Sequence, residues 1–128
     1  MRYVIYGAQS IAYGAYKAIK ELFPEQEILC FIVSEMGTNA HTLGGIPVME
    51  LDEFLKRNTR DAIEDLEILI AVPEIMMQDI TKNLEKAGIF NYLCVDSLRW
   101  AAMVRNAFLR SGKFLPLEAY VAGCSRAK

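Results

Sequence analysis

At 128 residues the chain is long enough for one domain with its own hydrophobic core. Its 53% hydrophobic content and formal net charge of −2 exclude a disordered chain and argue against a nucleic-acid-binding protein. No apolar run reaches the roughly 18 residues of a membrane span, and the first run stops at Gly7 without a signal-peptide cleavage pattern, so we expect a cytoplasmic protein.

The first strand, turn and helix form the most informative segment. Tyr3 to Tyr6 predict a buried strand, Gly7 a tight turn, and Ser10 to Phe23 a helix that Ser10 caps and Pro24 ends. Helical spacing predicts one inward face, made of Ile11, Ala15, Ala18, Ile19 and Leu22. The start of such a helix offers free backbone N–H groups and a partial positive charge, which favour a phosphate.

The next elements continue the pattern of strands. Ile28 to Val33 is a continuous apolar run, typical of a strand buried on both faces in a parallel sheet. A polar loop follows over residues 34–45. Gly45 to Met49 is a short extended piece, in which Pro47 indicates an edge strand or a segment outside the sheet. A short helix begins at Asp52.

The second half alternates in the same way. We predict strands over Leu66–Val72 and Tyr92–Val95, a helix from Glu74 to Ala87 that Gly88 ends, and a last helix over Ser97–Arg110. This alternation predicts an α/β fold: an open, mostly parallel sheet of about five strands in an order near 3-2-1-4-5, with helices on both faces. Ligands of such sheets bind at the carboxyl ends of the strands, here between the first and fourth strands.

The C-terminal quarter differs from the rest in charge and composition. Residues 1–96 hold 8 Lys/Arg and 15 Asp/Glu, a net −7, whereas residues 97–128 hold 6 Lys/Arg and 1 Asp/Glu, a net +5. We therefore divide the chain into a core over 1–96 and a helix and tail over 97–128. Apolar residues nearly encircle the last helix, so it packs on the core, on a second copy in a homodimer, or on a separate transferase domain. The proposed contact residues are Trp100, Met103, Val104, Phe108 and the tail.

The turn after the first strand is also a candidate binding site. Gly7, Gln9 and Ala12 stand at the three positions of the G-x-G-x-x-G dinucleotide fingerprint, and Gln9 departs from it where a pyrophosphate approaches the backbone. The backbone N–H groups from Ala8 to Ile11 would hold a nucleotide or nucleotide sugar. The alternative is a strand–helix turn that binds nothing.

Two further strand ends face the same place. Glu35 follows the second strand, 23 residues after Ala12, within the range at which dinucleotide folds place an acid on ribose hydroxyls; a solvated loop acid is the alternative. Val72 and Pro73 end the fourth strand and would form the apolar wall of a base or sugar pocket, or simply start a helix.

Other reactive residue types are sparse. His41 is the single histidine, so we predict neither a metal site nor a histidine base, although its loop can reach a ligand. Cys30 and Cys94 lie in apolar runs and are predicted to be core residues. We find no serine elbow, no phosphate loop of the Walker type and no catalytic carboxylate pair, and we therefore predict no catalytic residues.

Four short motifs carry a family resemblance. Val-Ile-Tyr-Gly-Ala, Gly-Ile-Pro-Val, Leu-Ile-Ala-Val-Pro-Glu and Lys-Ala-Gly-Ile-Phe-Asn-Tyr follow one another over residues 2–96. The chain thus resembles the Rossmann-like N-terminal modules of bacterial surface-polysaccharide enzymes, such as PglD-type sugar acetyltransferases and glycosyltransferase-associated domains. By position, the resemblance implies that a UDP-sugar contacts Gly7, Ala8, Gln9, Ser10, Ser34, Glu35, Val72 and Pro73. Gln9 and Glu35 depart from the family pattern, and the hexapeptide-repeat domain that carries its catalytic histidine has no counterpart in this sequence.

Three functions remain open on the sequence alone. The first is a UDP-sugar-binding module of a glycosyltransferase or sugar acyltransferase system in polysaccharide biosynthesis, without catalytic residues of its own. The second is an NAD(P)- or CoA-binding regulatory protein. The third is a dimerisation or docking module without a ligand.

Overall fold

The computed structural model describes residues 2–95, in which six strands form one sheet. The strands are β1 (Arg2–Tyr6), β2 (Glu27–Val33), β3 (Thr42–Leu43), β4 (Ile46–Glu50), β5 (Leu66–Ile70) and β6 (Tyr92–Cys94). The helices are α1 (Ser10–Leu22), α2 (Leu51–Arg57), α3 (Arg60–Glu64) and α4 (Glu74–Lys86). The sheet order is β3-β4-β2-β1-β5-β6, and every pairing is parallel except that of β3 with β4.

The α/β fold with a mostly parallel sheet is as predicted. The predicted order 3-2-1-4-5 corresponds to β4-β2-β1-β5-β6 in the structure, so the order of these five strands is as predicted. Strand β3 adds a sixth strand at the edge. Long crossovers join the parallel neighbours, and β1 lies at the centre between β2 and β5. The carboxyl ends of these three strands therefore meet at one edge of the sheet.

A tight hairpin explains the extra strand. Gly44 and Gly45 connect β3 to β4, and both have positive φ, +57° and +79°. Two consecutive positive φ angles are those of a type I′ turn, which matches the twist of antiparallel strands. Val48 N–H donates to the carbonyl of His41, the residue just before β3. Successive residues of a strand point their backbone N–H groups to opposite sides, so the Pro47 nitrogen points away from β3. Pro47 thus lies inside a short antiparallel pair, before the ladder with β2 begins at Val48.

The sheet divides the core into two layers because successive strand residues point to opposite faces. On one face α1 buries Ala12, Ala15, Ala18 and Ile19 against Ile5 and Phe31. On the other face Phe54 of α2, Ile63 of α3 and Leu84 of α4 pack against Tyr6 and Ile70. Cys30 is buried in this second layer, and burial raises the pKa of its thiol to about 11, as expected for a core residue.

Several predicted boundaries shift by a few residues. Ser10 is the first residue of α1 and Gln9 is its N-cap, so the predicted capping role of Ser10 is wrong. Ile11 and Leu22 are only half-buried, because the helix turns Ala12 towards the sheet instead. Strand β5 stops at Ile70, before the turn that leads into α4. Gly88 follows α4 with φ +80°, an angle that favours glycine and agrees with its predicted role as the residue that ends this helix.

The predicted helix over Ser97–Arg110, the division at residue 96 and the contacts of Trp100, Met103, Val104 and Phe108 lie outside the described residues. Within residues 2–95, no helix has the length and apolar content needed to cross a bilayer.

Candidate functional site

The carboxyl ends of β1, β2 and β5 surround a cavity of about 440 Å³. All nine residues that the sequence analysis singled out for binding line this one cavity: Gly7, Ala8, Gln9, Ser10, Ile11, Ser34, Glu35, Val72 and Pro73. They come from three connections that are far apart in the chain. The parallel topology brings them together because it gathers the ends of neighbouring strands at one edge.

Gly7 makes the turn from β1 into α1. Its φ is +129°, and its N–H donates to the Ile32 carbonyl at 2.7 Å. A Cβ at this position would lie 2.6 Å from the Ala71 carbonyl oxygen and 3.2 Å from Ala12 Cβ. Glycine is therefore required both by the backbone angle and by the close approach of the turn to the end of β5.

The start of α1 lines the cavity. Its first turn contains no acidic residue, and the N-cap residue Gln9 makes no side-chain capping hydrogen bond. The helix has 13 residues, so its dipole is well developed at this end. An anionic group of a ligand in the cavity would be stabilised here without any cationic side chain.

The Gln9 side chain extends away from the helix, towards the loop after β2. Its Nε2 donates to Asn39 Oδ1 at 2.5 Å. Both residues line the 440 Å³ cavity, so this contact joins two of its walls, the start of α1 and the loop after β2.

The loop after β2 is held in place by polar contacts at both ends. Met36 N–H donates to Glu50 Oε2 at 2.9 Å, and Asn39 Nδ2 donates to the Glu35 carbonyl at 3.2 Å. These contacts fix the backbone that carries Glu35. Glu35 is exposed, and within the described part of the chain it is the one charged side chain that lines the cavity.

Tyr6 and Ser34 form a polar contact beside the cavity. The Tyr6 ring is buried, and its hydroxyl lies 2.7 Å from Ser34 Oγ. Burial raises the pKa of the Tyr6 phenol; the Ser34 hydrogen bond lowers it and the Asp52 carboxylate raises it further. The phenol consequently stays protonated at neutral pH and can donate or accept a hydrogen bond.

The remaining wall is apolar. Val72 and Pro73 end the β5 connection, and Met76 and Ile80 of α4 continue the surface. Pro73 is the N-cap of α4 and has no N–H, so this second helix start offers one donor fewer than α1 does. An apolar wall opposite a polar helix start suits a ligand with a flat base or ring at one end and a phosphate at the other.

Sequence reasoning missed several lining residues. Tyr6 directly precedes Gly7, and its position at a strand end was a usable signal. Asn39 lines the cavity because of the path of an irregular loop, and no periodic pattern in the sequence predicts that path. His41 is exposed and is not among the lining residues. Over residues 2–95, no group of three or more His, Cys, Asp or Glu is placed to hold a metal ion.

No protein-family model and no curated protein matches this sequence. Among solved structures, the chain is similar to RSP, a Rex-family repressor, with a TM-score of 0.53 and 12% sequence identity. The match covers 88% of this chain and 62% of that one, so the chain spans less than two thirds of the repressor. The fold is Rossmann-like. At this identity the likeness shows the architecture alone.

Proposed function

We propose that this chain is a nucleotide-binding module that holds a nucleoside diphosphate compound in the cavity at the ends of β1, β2 and β5. One observation carries the proposal: the start of α1, whose N-cap side chain makes no capping hydrogen bond, opens onto this cavity directly after the Gly7 turn. The diphosphate lies at the helix start, the base or ribose lies against the apolar wall, and no residue of the module acts as a catalyst.

A nucleotide sugar is the ligand class we propose first. Gln9 stands where the dinucleotide fingerprint has its second glycine, so the chain lacks the complete motif of an NAD(P)-binding fold. A UDP-sugar also agrees with the resemblance to polysaccharide-enzyme modules, in which case the partner is a transferase domain.

A dinucleotide is the second candidate, and Glu35 is the observation that favours it. An acid just after the second parallel strand accepts ribose hydroxyls in such folds. Among residues 2–95, no lysine or arginine lines the cavity to neutralise a 2′-phosphate. If the ligand is a dinucleotide, we therefore expect NAD(H) and not NADP(H).

A thermal-shift panel separates the candidates. The ligands are UDP, UDP-glucose, UDP-N-acetylglucosamine, NAD(H), NADP(H) and coenzyme A. A ligand present at one hundred times its Kd stabilises the folded state by about 2.7 kcal/mol, which is readily detected. We expect the UDP-sugars to give the largest shift; a largest shift with NAD(H) would support the second candidate.

Two variants localise the binding. Glu35→Ala removes the carboxylate at the cavity, and Glu25→Ala removes another exposed carboxylate outside it. We expect only the first to change the Kd of the bound nucleotide by calorimetry. If no nucleotide binds at millimolar concentration, the proposed function is wrong and a docking module becomes the better explanation.

A further inference from the structure

A second cavity, of about 370 Å³, lies between α2 and α4 and adjoins the first. Tyr6 and Ser34 line both cavities, so their hydroxyl contact marks the place where the two spaces meet. The second cavity lies on the face of the sheet that α2 and α4 cover, whereas the first opens around the start of α1.

One stripe of α4 joins the two spaces. Met76 and Ile80 line the first cavity, and Asn83 and Ala87 line the second. Their spacing of four, three and four residues places them on one side of the helix. The two cavities therefore lie one after the other along α4: the first is apolar near the start of the helix, and the second, which is the groove between α2 and α4, is more polar.

The polar groups of the second cavity come from separate elements of the fold. Asp52 on α2 supplies a carboxylate, Asn83 and Lys86 on α4 supply an amide and an ammonium group, and Tyr6 supplies a protonated phenol. Together they can accept and donate hydrogen bonds within one small space. Sugar hydroxyls also both donate and accept, whereas a flat apolar ring would desolvate these groups without pairing them.

We propose that the second cavity binds the sugar ring of a nucleoside diphosphate sugar whose nucleotide occupies the first. This inference rests on the proposed function and extends it, because it assigns the non-nucleotide part of the ligand to the polar groove between α2 and α4. Asp52 and Asn83 bind hydroxyls of the ring, and the Tyr6–Ser34 pair lies beside the bond between sugar and phosphate.

The test compares UDP with UDP-glucose by calorimetry on the full chain. In the unaltered protein, two or more hydrogen bonds to the sugar should make UDP-glucose bind at least about tenfold more tightly than UDP. Asn83→Trp fills the groove from an exposed position, and it should remove this difference while leaving the Kd of UDP unchanged. Asn83→Ala should reduce the difference by about fivefold.

Lys82→Trp is the matched control, since Lys82 is exposed on the same helix and lines neither cavity. It should keep the full difference, and circular dichroism should show both tryptophan variants folded. Equal binding of UDP and UDP-glucose, or a difference that survives in Asn83→Trp, would overturn this inference and leave the proposed nucleotide site intact. Absence of binding by UDP and by every other nucleotide would overturn both.

Discussion

Replacing Gly7 with alanine tests the geometry on which the whole site depends. The new Cβ would lie 2.6 Å from the Ala71 carbonyl oxygen and 3.1 Å from Val72 Cγ1. The carbonyl belongs to the backbone at the end of β5, so it cannot rotate away as a flexible side chain would. The backbone at Gly7 also has φ +129°, an angle that alanine rarely adopts.

The expected cost follows from these two effects. Backbone strain at such an angle costs about 2 kcal/mol, and forcing a methyl group into a packed contact costs about 2 kcal/mol more. Alanine also lowers the conformational entropy of the unfolded chain, and this offsets about 0.7 kcal/mol of the destabilisation. We therefore expect Gly7→Ala to lower the free energy of unfolding by about 3 kcal/mol.

Urea unfolding measures this loss, and Gly37→Ala is the matched control. Gly37 also has positive φ, +49°, but apart from its chain neighbours no atom of residues 2–95 lies within 4 Å of a Cβ built there, so its replacement should cost only about 1 kcal/mol. With a slope of about 1.5 kcal/mol per molar urea, the midpoint should fall by about 2 M for Gly7→Ala and by well under 1 M for the control. Equal midpoints in the two variants would show that β5 does not approach the turn as described.

Three further changes test neighbouring features. Gln9→Gly removes the contact with Asn39 and clears the start of α1, so calorimetry should show several-fold tighter binding of UDP; unchanged or weaker binding would count against a backbone phosphate site. Tyr6→Phe should cost about 1 kcal/mol in urea unfolding, since it deletes the hydroxyl contact with Ser34. The pKa of Tyr6 is raised in the folded state. The stability that the protonated Tyr6 phenol contributes is therefore fully present below the unfolded pKa of about 10, and it is lost as pH rises towards the folded-state pKa. Stability of the unaltered protein should thus fall more steeply than that of Tyr6→Phe in this alkaline range, and parallel curves would contradict the assignment. Asn91→Ala should cost about 2 kcal/mol, because Asn91 Nδ2 donates to the carbonyls of Ile63 at 2.8 Å and Leu66 at 2.5 Å; a loss below about 0.5 kcal/mol would show that water replaces both bonds.

The sequence predicted the elements with strong periodic or turn signals. The apolar run of β2, the helical spacing in α4 and the glycine after β1 each have one dominant physical cause, and each element is present in the structure. Parallel topology then follows from the alternation of strands and helices, which is why the residues at three separate strand ends could be assigned to one place.

The missed features depend on contacts that are distant in sequence. Strand β3 has only two residues, too few for an alternating pattern, although the Gly44-Gly45 pair between short apolar segments was a hairpin signal. The contact between Gln9 and Asn39 joins residues 30 positions apart and depends on the path of an irregular loop. The groove between α2 and α4 likewise requires the packing of two helices, which local patterns do not specify.

The two-residue strand β3 also bears on aggregation. A parallel sheet that ended at β4 would present a row of unpaired backbone groups, onto which a second molecule could add strands. The hairpin covers part of that row with a partner only two residues long. Growth of intermolecular β-structure from this side is therefore disfavoured, and a hairpin deletion that exposes β4 should make the protein prone to precipitate.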